Sequence, residues 1–321
     1  MIVVLKENRV IYNIAKYMEF VKNNRCDELV TFIALCYNQS AFLKESLNSI
    51  ITQTWAPSHI YIIDDCSTDN SVETIKEWIE ETKFPATLIC HEKNIGITRT
   101  MNEALSLCKT KYFQPWPCDD LMMPDKVESQ VTYLESLDWE PGLIYGDIQW
   151  IDNDSKIIRE SVIKDRKKSF PEEKMPSGNI FPELVKHGCF IPTASGLYAT
   201  KALNELGGFD ENLFAEDWDM FMRISLNSGI VFKDQLFSKY RRHSASTEMS
   251  KGAKYWEGHF KILPKYLGIK KEYDRYIWEK IGLDAIDATK DGVKNMWTWV
   301  WKSARKTSNY KLVFDYMKFL I

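Results

Sequence analysis

The chain has 321 residues, of which 45% are hydrophobic and 27% are charged, a balance typical of folded proteins and not of disordered ones. Its formal net charge of -3 provides no basic excess to neutralise a phosphate backbone, so the composition gives no reason to expect nucleic acid as a partner. The length is sufficient for one large α/β domain with an appendage, or for two domains.

The cysteines and the apolar runs indicate a cytoplasmic protein. Seven cysteines are scattered without a CxxC pair, which suggests neither a disulfide framework nor a zinc site and fits a reduced compartment. The amino-terminal stretch MIVVLKENRV is too short and too soon charged for a signal peptide, and no apolar run reaches membrane-spanning length.

Strands and helices alternate through the first part of the chain. Apolar runs predict four buried strands, at 30–38, 59–65, 86–92 and 112–116. Apolar residues at helical spacing predict helices between and after them, at 41–53, 70–79, 96–108 and 125–134. Short connections between such elements require right-handed crossovers, so the pattern predicts an α/β fold with a mostly parallel sheet flanked by helices.

Two pairs of adjacent carboxylates lie at the carboxyl ends of predicted strands: Asp64–Asp65 and Asp119–Asp120. Because parallel strands present their carboxyl ends at the edge where such sheets bind ligands, the two pairs should share one crevice. Adjacent carboxylates repel each other unless a cation or donor lies between them, and oxygen ligands suit Mg²⁺ or Mn²⁺. A lone pair of this kind is otherwise a solvated turn, with Asp125 capping the next helix.

After residue 140 the pattern becomes mixed. A hairpin is predicted with its turn at Asn153–Asp154, followed by a charged surface loop over 161–178. Four further elements are predicted: a helix at 181–188, a strand at 191–200, a helix from 216, and a strand from 230 that ends near Arg241. From 251 onward the chain is predicted to be helical and is rich in Trp and Tyr.

Six motifs follow one another along the chain: VTFIALCYN, IIDDCSTDNS, NIGITRTMNEAL, PCDDLMMPDK, AEDWDMFMR and YRRHSAS. In this order and at these spacings, over about residues 28 to 245, the chain resembles the inverting family 2 glycosyltransferases of bacterial surface-glycan synthesis. The resemblance implies the GT-A type of α/β fold with a C-terminal helical extension. It divides the chain into an N-terminal extension (1–29), a GT-A domain (30–250) with a nucleotide-binding half (30–125) and an acceptor half (126–250), and a helical C-terminal region (251–321).

The resemblance implies a nucleotide-sugar site in the first half. Seven residues would contact the nucleotide or its sugar: Tyr37, Asp64, Asp65, Asn94, Gly96, Arg99 and Asp119. Tyr37 would lie against the base, Asp65 would accept a hydrogen bond from a base N–H, and Asp119 would bind ribose or sugar hydroxyls. Asp120 would bind the Mn²⁺ or Mg²⁺ that bridges the donor diphosphate, and His243 would be a further metal ligand or, alternatively, a surface residue.

In the acceptor half, the resemblance implies that Asp217 is the general base on the acceptor hydroxyl. Glu216 would position the loop or contact the acceptor. Trp218, like Trp116, would either stack on a sugar or pack in the core. Arg241–Arg242 would either clamp the diphosphate or form a solvated strand end.

Two positions depart from the family pattern. Pro117 occupies the first acidic position of the Asp-x-Asp-Asp motif, and Leu35 stands where a small polar residue often contacts the base. The remaining carboxylates still suit the chemistry. A cation at Asp120 would stabilise charge on the leaving diphosphate, and a base in hydrogen-bond reach would activate the weakly nucleophilic hydroxyl. Attack from the face opposite the leaving group inverts the anomeric centre.

The function predicted is metal-dependent transfer of a sugar from a nucleotide-sugar, UDP-linked by family frequency, to a hydroxyl of a glycan or lipid-linked saccharide. The reaction would occur in the cytoplasm or on the inner face of the membrane. Two other classes of protein remain open. A nucleotidyltransferase would need a glycine-rich basic loop after the first strand, and CYNQSAF has no glycine. A non-catalytic nucleotide- or sugar-binding module would not need Asp217.

The C-terminal region has more than one interpretation. Six aromatic and basic residues suit a peripheral contact with a membrane surface: Trp297, Trp299, Trp301, Lys302, Arg305 and Lys306. The alternatives are a helical cap over the acceptor side and a homodimer interface.

Overall fold

The computed structural model describes residues 26–213, 216–243 and 253–320. The predicted extension at 1–29 lies almost entirely outside these residues, as does the end of the YRRHSAS motif after His243.

Nine strands of the described residues form a single sheet. They are β1 (Val30–Cys36), β2 (Ile60–Asp64), β3 (Ala86–Cys90), β4 (Tyr112–Pro117), β5 (Leu121–Met122), β6 (Leu143–Ile151), β7 (Ile157–Arg159), β8 (Leu197–Ala199) and β9 (Ile230–Arg241). Their order is β3-β2-β1-β4-β8-β6-β9-β5, with β7 paired to β6. The predicted α/β fold is confirmed: β3, β2, β1 and β4 are parallel, and β8, antiparallel to both β4 and β6, joins them to the parallel pair β6 and β9.

Helices cover both faces of the sheet and continue to the end of the described chain. They are α1 (Cys26–Leu29), α2 (Leu43–Ile51), α3 (Ser71–Thr82), α4 (Ile97–Leu107), α5 (Lys126–Glu135), α6 (Ile163–Lys167), α7 (Phe181–His187), α8 (Thr200–Glu205), α9 (Glu216–Asn227), α10 (Ala253–Ile262), α11 (Lys271–Lys290), α12 (Trp297–Thr307) and α13 (Lys311–Leu320). In α5, the apolar residues Val127, Val131 and Leu134 recur at helical spacing and are all buried. Burial of such a stripe is what stabilises a helix against a sheet.

Side chains of β1 alternate between two hydrophobic layers. Phe32 and Ala34 pack with residues of α2, α3 and α5 on one face of the sheet. Ile33 and Leu35 pack with residues of α4, α7, α8 and α9 on the other face. Because both faces are covered, the strand is apolar from Phe32 to Cys36 and does not alternate with polar residues there.

The C-terminal helices form two layers. α10 and α11 join the core of the second sheet face through residues such as Ile262 and Ile277. The turn between them also supplies Lys265 and Tyr266, each of which donates a hydrogen bond to the fully buried Asp219 carboxylate of α9 at 2.8 Å. α12 and α13 pack outside α11 around a separate small cluster. None of the described helices is both long and apolar enough to cross a membrane.

Candidate active site

The carboxyl ends of β2, β1 and β4 meet at one edge of the sheet. Register pairs Cys36 with Asp64 across one side of β1, and Leu35 with Pro117 across the other. The residues that follow these strands are therefore neighbours, at the spacing of about 4.8 Å that separates adjacent strands. Tyr37, which is 47% exposed, lies at the centre of this edge. The two predicted carboxylate pairs flank it.

Asp64 shapes the loops of this edge. Its buried carboxylate accepts hydrogen bonds from the backbone N–H of Ser67 at 2.8 Å and from the Ser67 hydroxyl at 2.6 Å. Asn38, which has a φ of 54°, accepts a bond from the backbone N–H of Thr68 at 2.7 Å. These contacts tie the segment after β1 to the segment after β2. Asp64 is thus a buried residue that fixes the loop after β2.

Asp65 holds the start of α4. Its carboxylate accepts the backbone N–H groups of Ile95 at 2.8 Å and Gly96 at 2.9 Å, and it lies 2.8 Å from Nδ1 of His91. Gly96 has a φ of +87°, which disfavours any side chain at this position. The exposed Asn94 precedes this pair of amides. A carboxylate offers about four acceptor positions, so Asp65 retains about one for a further donor.

His91, which the sequence motifs did not single out, connects Asp65 to Glu103. Its Nε2 lies 2.8 Å from the Glu103 carboxylate. Burial by itself would lower the pKa of His91, but the hydrogen bonds to Asp65 and Glu103 outweigh it and raise the pKa above 6.5. His91 follows β3 directly, at the same edge of the sheet as the two carboxylate pairs at the carboxyl ends of β2 and β4, and this position is the signal that could have identified it.

Arg99 lies at the junction between α4 and the loop before α9. Its Nε donates a hydrogen bond to the Glu211 carboxylate at 3.1 Å, and Asn102 donates to the other oxygen of that carboxylate at 3.1 Å. The guanidinium is largely exposed, with 59% of the side chain accessible. A contact of Arg99 with the base or the diphosphate therefore remains a prediction.

Asp119 and His243 come together although 124 residues separate them. Nε2 of His243 lies 3.1 Å from Oδ2 of Asp119, and both side chains are about one-seventh exposed, at 13% and 15%. Among the described residues, no group of three or more His, Cys, Asp or Glu side chains is arranged to hold a metal ion. A cation between Asp119 and His243 would therefore have these two side chains as its ligands from the described residues.

Asp120 points into the protein. Its carboxylate is fully buried and accepts the backbone N–H of Arg241 at 2.8 Å. The carboxylate that meets His243 is thus that of Asp119, whereas the family resemblance implied that Asp120 and His243 bind the metal together. Asp120 anchors the end of β9, the strand that delivers His243.

Arg241 is also fully buried, which is incompatible with both predictions for it, a diphosphate clamp and a solvated strand end. Its Nε donates to the backbone carbonyl of Asp119 at 2.9 Å, and its terminal nitrogens donate to the carbonyl of Asp152 at 2.7 Å and to Glu45 at 2.8 Å. Arg241 therefore fixes the backbone of the candidate metal site. The guanidinium of Arg242 instead lies over the ring of Trp150, 4.2 Å from its centroid.

Asp217 stands in the first turn of α9. Its carboxylate accepts the Thr193 hydroxyl at 3.0 Å and the backbone N–H of Trp218 at 2.7 Å. Because β8 is antiparallel to β4, the residues before Leu197 extend toward the carboxyl end of β4, where Asp119 lies. Thr193 therefore brings Asp217 to the same edge as the other carboxylates.

Glu216 and Asp217 are adjacent carboxyl groups with different surroundings. Burial, followed by the negative charge of Asp217, raises the pKa of Glu216 to about 8. Two neighbouring carboxyls do not both ionise readily in a poorly hydrated site. Glu216 therefore holds a proton near neutral pH.

The two tryptophans proposed to stack on a sugar are core residues. Trp218 is 1% exposed, donates its indole N–H to the Leu184 carbonyl at 3.1 Å and packs on His259 of α10. Trp116 is fully buried and donates to the Ser46 hydroxyl at 3.1 Å. The stacking hypothesis for both residues is therefore wrong, and Trp218 supports Asp217 through the core.

α10 packs close to Trp218 and Asp217 of α9. The ring of Tyr255 lies 4.5 Å from that of His259, which itself packs on Trp218. Burial, and then the negative charge of Asp284 and of the Cys189 and Asp217 groups, raises the pKa of Tyr255 to about 12. α10 thus lies within electrostatic reach of Asp217, and its role as a cap over the acceptor side stays a prediction.

Comparison with known proteins agrees with this architecture. Residues 31–183 match the sequence model of the family Glycosyl transferase family 2. An uncharacterized glycosyltransferase of Rickettsia prowazekii is 28% identical over 254 residues, which are 76% of each chain. The chondroitin synthase of Escherichia coli is 26% identical over 270 residues, covering 80% of this chain and 37% of that protein.

Solved glycosyltransferases have a similar fold. TarS 1–349 of S. aureus in complex with UDP-GlcNAc superposes with a TM-score of 0.59 at 15% identity, covering 88% of this chain and 91% of that one. The mannosyltransferase PcManGT of Pyrobaculum calidifontis, in complex with GDP-Man and Mn²⁺, superposes with a TM-score of 0.55 at 13% identity, covering 94% of this chain and 92% of that one.

The fold is that of the GT-A glycosyltransferases. This chain is a glycosyltransferase, and its residues 31–183 are similar to Glycosyl transferase family 2. Asp217 and His243 lie beyond the matched segment, in the part of the chain that the longer relatives also cover.

Proposed function

We propose that this protein is a metal-dependent, inverting glycosyltransferase that moves a sugar from a nucleotide-sugar to a hydroxyl of a glycan or lipid-linked saccharide in surface-polysaccharide synthesis. One observation carries the proposal. A carboxylate–imidazole pair, Asp119 with His243, and a separate carboxylate, Asp217, reach the same edge of a GT-A sheet. Transfer with a single inversion needs those two elements, a cation site and a proton acceptor.

The cation would be Mn²⁺ or Mg²⁺, held by Asp119 and His243. The pair fits because both ions accept few protein ligands and take their remaining positions from water and phosphate oxygens. When bound, the ion would stabilise the negative charge that develops on the leaving diphosphate. Asp120 would act through the backbone of Arg241, which keeps His243 beside Asp119.

Asp217 would be the general base. Thr193 and the Trp218 amide orient its carboxylate, and the protonated Glu216 beside it adds no second charge. The acceptor hydroxyl would lose its proton to Asp217 as its oxygen bonds to the anomeric carbon. The bond from that carbon to the nucleoside diphosphate breaks on the opposite face, so the configuration inverts.

The donor would carry a base with an N–H group, as uracil does. Tyr37 offers an exposed ring beside Asp65, which retains about one acceptor position. The backbone N–H groups of Ile95 and Gly96 hold Asp65 in place. UDP is therefore the proposed nucleotide, and a nucleotide bound to the S. aureus neighbour is also UDP-linked.

Asp217→Asn tests the base. The variant should bind donor as the wild type does but turn it over about 10²–10⁴-fold more slowly, since an amide cannot accept the proton. Asp219→Asn is a poor control because Asp219 is fully buried, so Asp210→Asn on the preceding loop serves instead. Normal turnover by Asp217→Asn would refute the assignment.

Asp119→Asn and His243→Gln test the cation site. Each should raise the Mn²⁺ concentration needed for half-maximal activity, and each should remove the Mn²⁺-dependent rise in melting temperature that UDP produces in the wild type. Full activity of the wild type in excess chelator would exclude a metal-dependent reaction. If GDP and not UDP raised the melting temperature, UDP would be excluded as the nucleotide, while the proposed cation site and base would stand.

A further inference from the structure

Large apolar side chains are exposed together on α12 and α13. Five of them form what we call the aromatic face: Trp297, Trp301, Tyr310, Phe314 and Met317. Their exposure is between 40% for Trp297 and 60% for Phe314. Trp297 and Trp301 stack with ring centroids 5.9 Å apart, and Trp301 meets Tyr310 edge-on at 6.2 Å. Phe314 and Met317 continue the same side of α13, one and two turns after Tyr310.

The aromatic face differs from the tryptophan cluster that the sequence suggested. Trp299 turns inward and stacks on Phe260 of α10 at 5.3 Å. Trp297 and Trp301 are four residues apart, so they share the outer side of the helix. Trp297 and Trp301 are therefore exposed on the outer side of α12, whereas Trp299 packs inside the protein.

Basic side chains surround the aromatic face. Residues 293–320 contain six Lys and Arg residues and one carboxylate, in a chain whose net charge is -3. Arg305 follows Trp301 by one helical turn and is exposed. The ammonium of Lys318 lies 4.4 Å from the centroid of the Phe314 ring. Positive charge and exposed rings therefore occur on the same two helices.

We propose that the aromatic face docks on an anionic lipid bilayer surface. Trp and Tyr rings favour the headgroup level of a bilayer, and Lys and Arg beside them are attracted to anionic headgroups. The helices would lie along the surface, since none of the described helices can cross a membrane. A second copy of this chain is a worse occupant, because a two-fold interface would place the basic rim against itself. The inference does not depend on the proposed donor, cation or base.

Vesicle sedimentation with the full chain tests the proposal. Vesicles of phosphatidylcholine mixed with phosphatidylglycerol should bind the protein, those of phosphatidylcholine alone should not, and salt should weaken the binding. Trp297→Ser with Trp301→Ser should reduce binding at least about tenfold, as each ring leaves the interface. Arg305→Glu with Lys318→Glu should do the same, because each basic residue contributes about fivefold.

Ile158→Ser is the matched control, since Ile158 is 55% exposed on β7, outside the aromatic face. It should bind as the wild type does. All variants change exposed side chains, and unchanged melting temperatures would verify their folding. Three results would each overturn the proposal: no wild-type binding to anionic vesicles at low salt, binding by either double variant that equals that of the wild type, or a wild-type dimer that the tryptophan variant dissociates.

Discussion

Arg241 offers the sharpest test of how the candidate metal site is built. Replacing it with Met keeps a long unbranched side chain but removes every donor. The backbone carbonyls of Asp119 and Asp152 would then lose their partners. Each unsatisfied carbonyl costs about 1–3 kcal/mol. The ion pair with Glu45 adds at most about 1 kcal/mol, since that side chain is 48% exposed and can be rehydrated.

We therefore expect Arg241→Met to lower the free energy of unfolding by about 3–5 kcal/mol, in the range observed when one partner of a buried polar network is removed. Urea denaturation of the variant and the wild type measures this difference in the free energy of unfolding. The neighbouring Arg242→Met is the control, with an expected loss of about 1 kcal/mol from its contact with an aromatic ring.

The same variant should also weaken metal binding. Arg241 holds the carbonyl of Asp119, so its loss lets the Asp119–His243 pair move apart. The Mn²⁺ concentration for half-maximal activity should rise in Arg241→Met and stay unchanged in Arg242→Met. If both variants were equally stable and equally saturable by Mn²⁺, Arg241 would not be the element that fixes this site.

Three further predictions concern other groups. The wild type should lose stability as pH rises from about 4.5 to 8, because there the folded chain holds a proton on Glu216 that the unfolded chain releases. Glu216→Gln should abolish that loss, because an amide does not titrate, and parallel stability curves of the two proteins would contradict this. His91→Gln should remove stabilisation that is present below pH 6.5 and declines as pH rises through the raised pKa, which an NMR titration of His91 would locate. A chain that ends at Lys290 should fold cooperatively, whereas one that ends at residue 250 should not, as circular dichroism melts would reveal.

The elements that depend on local pattern could be predicted from the sequence. The strand before Asp65 and the helix with Val127 and Val131 lie where apolar spacing placed them. The predicted strand at 191–200 is shorter, since Thr193–Ser195 forms a 3-10 turn and only Leu197–Ala199 pairs in the sheet. Periodicity locates an apolar run but does not say how much of it finds a partner strand.

The contacts that build the site could not be predicted, because they join distant parts of the chain. Arg241 meets Glu45 across 196 residues and Asp119 across 122. His91 needs Glu103 on one side and Asp65 on the other. A motif indicates which residues stand near a site, while burial decides which of them face a ligand and which, like Trp218, face the core.

The anchoring of Asp219 has a consequence for how such enzymes can be recombined. Its charge is balanced in part by Lys265 and Tyr266, which follow α10, well after the last strand of the sheet. A hybrid joined just after β9 would inherit a buried anion without its partners. The natural junction for exchanging C-terminal segments among relatives is therefore after α11, where only the outer helices, with their exposed rings and positive charge, would change.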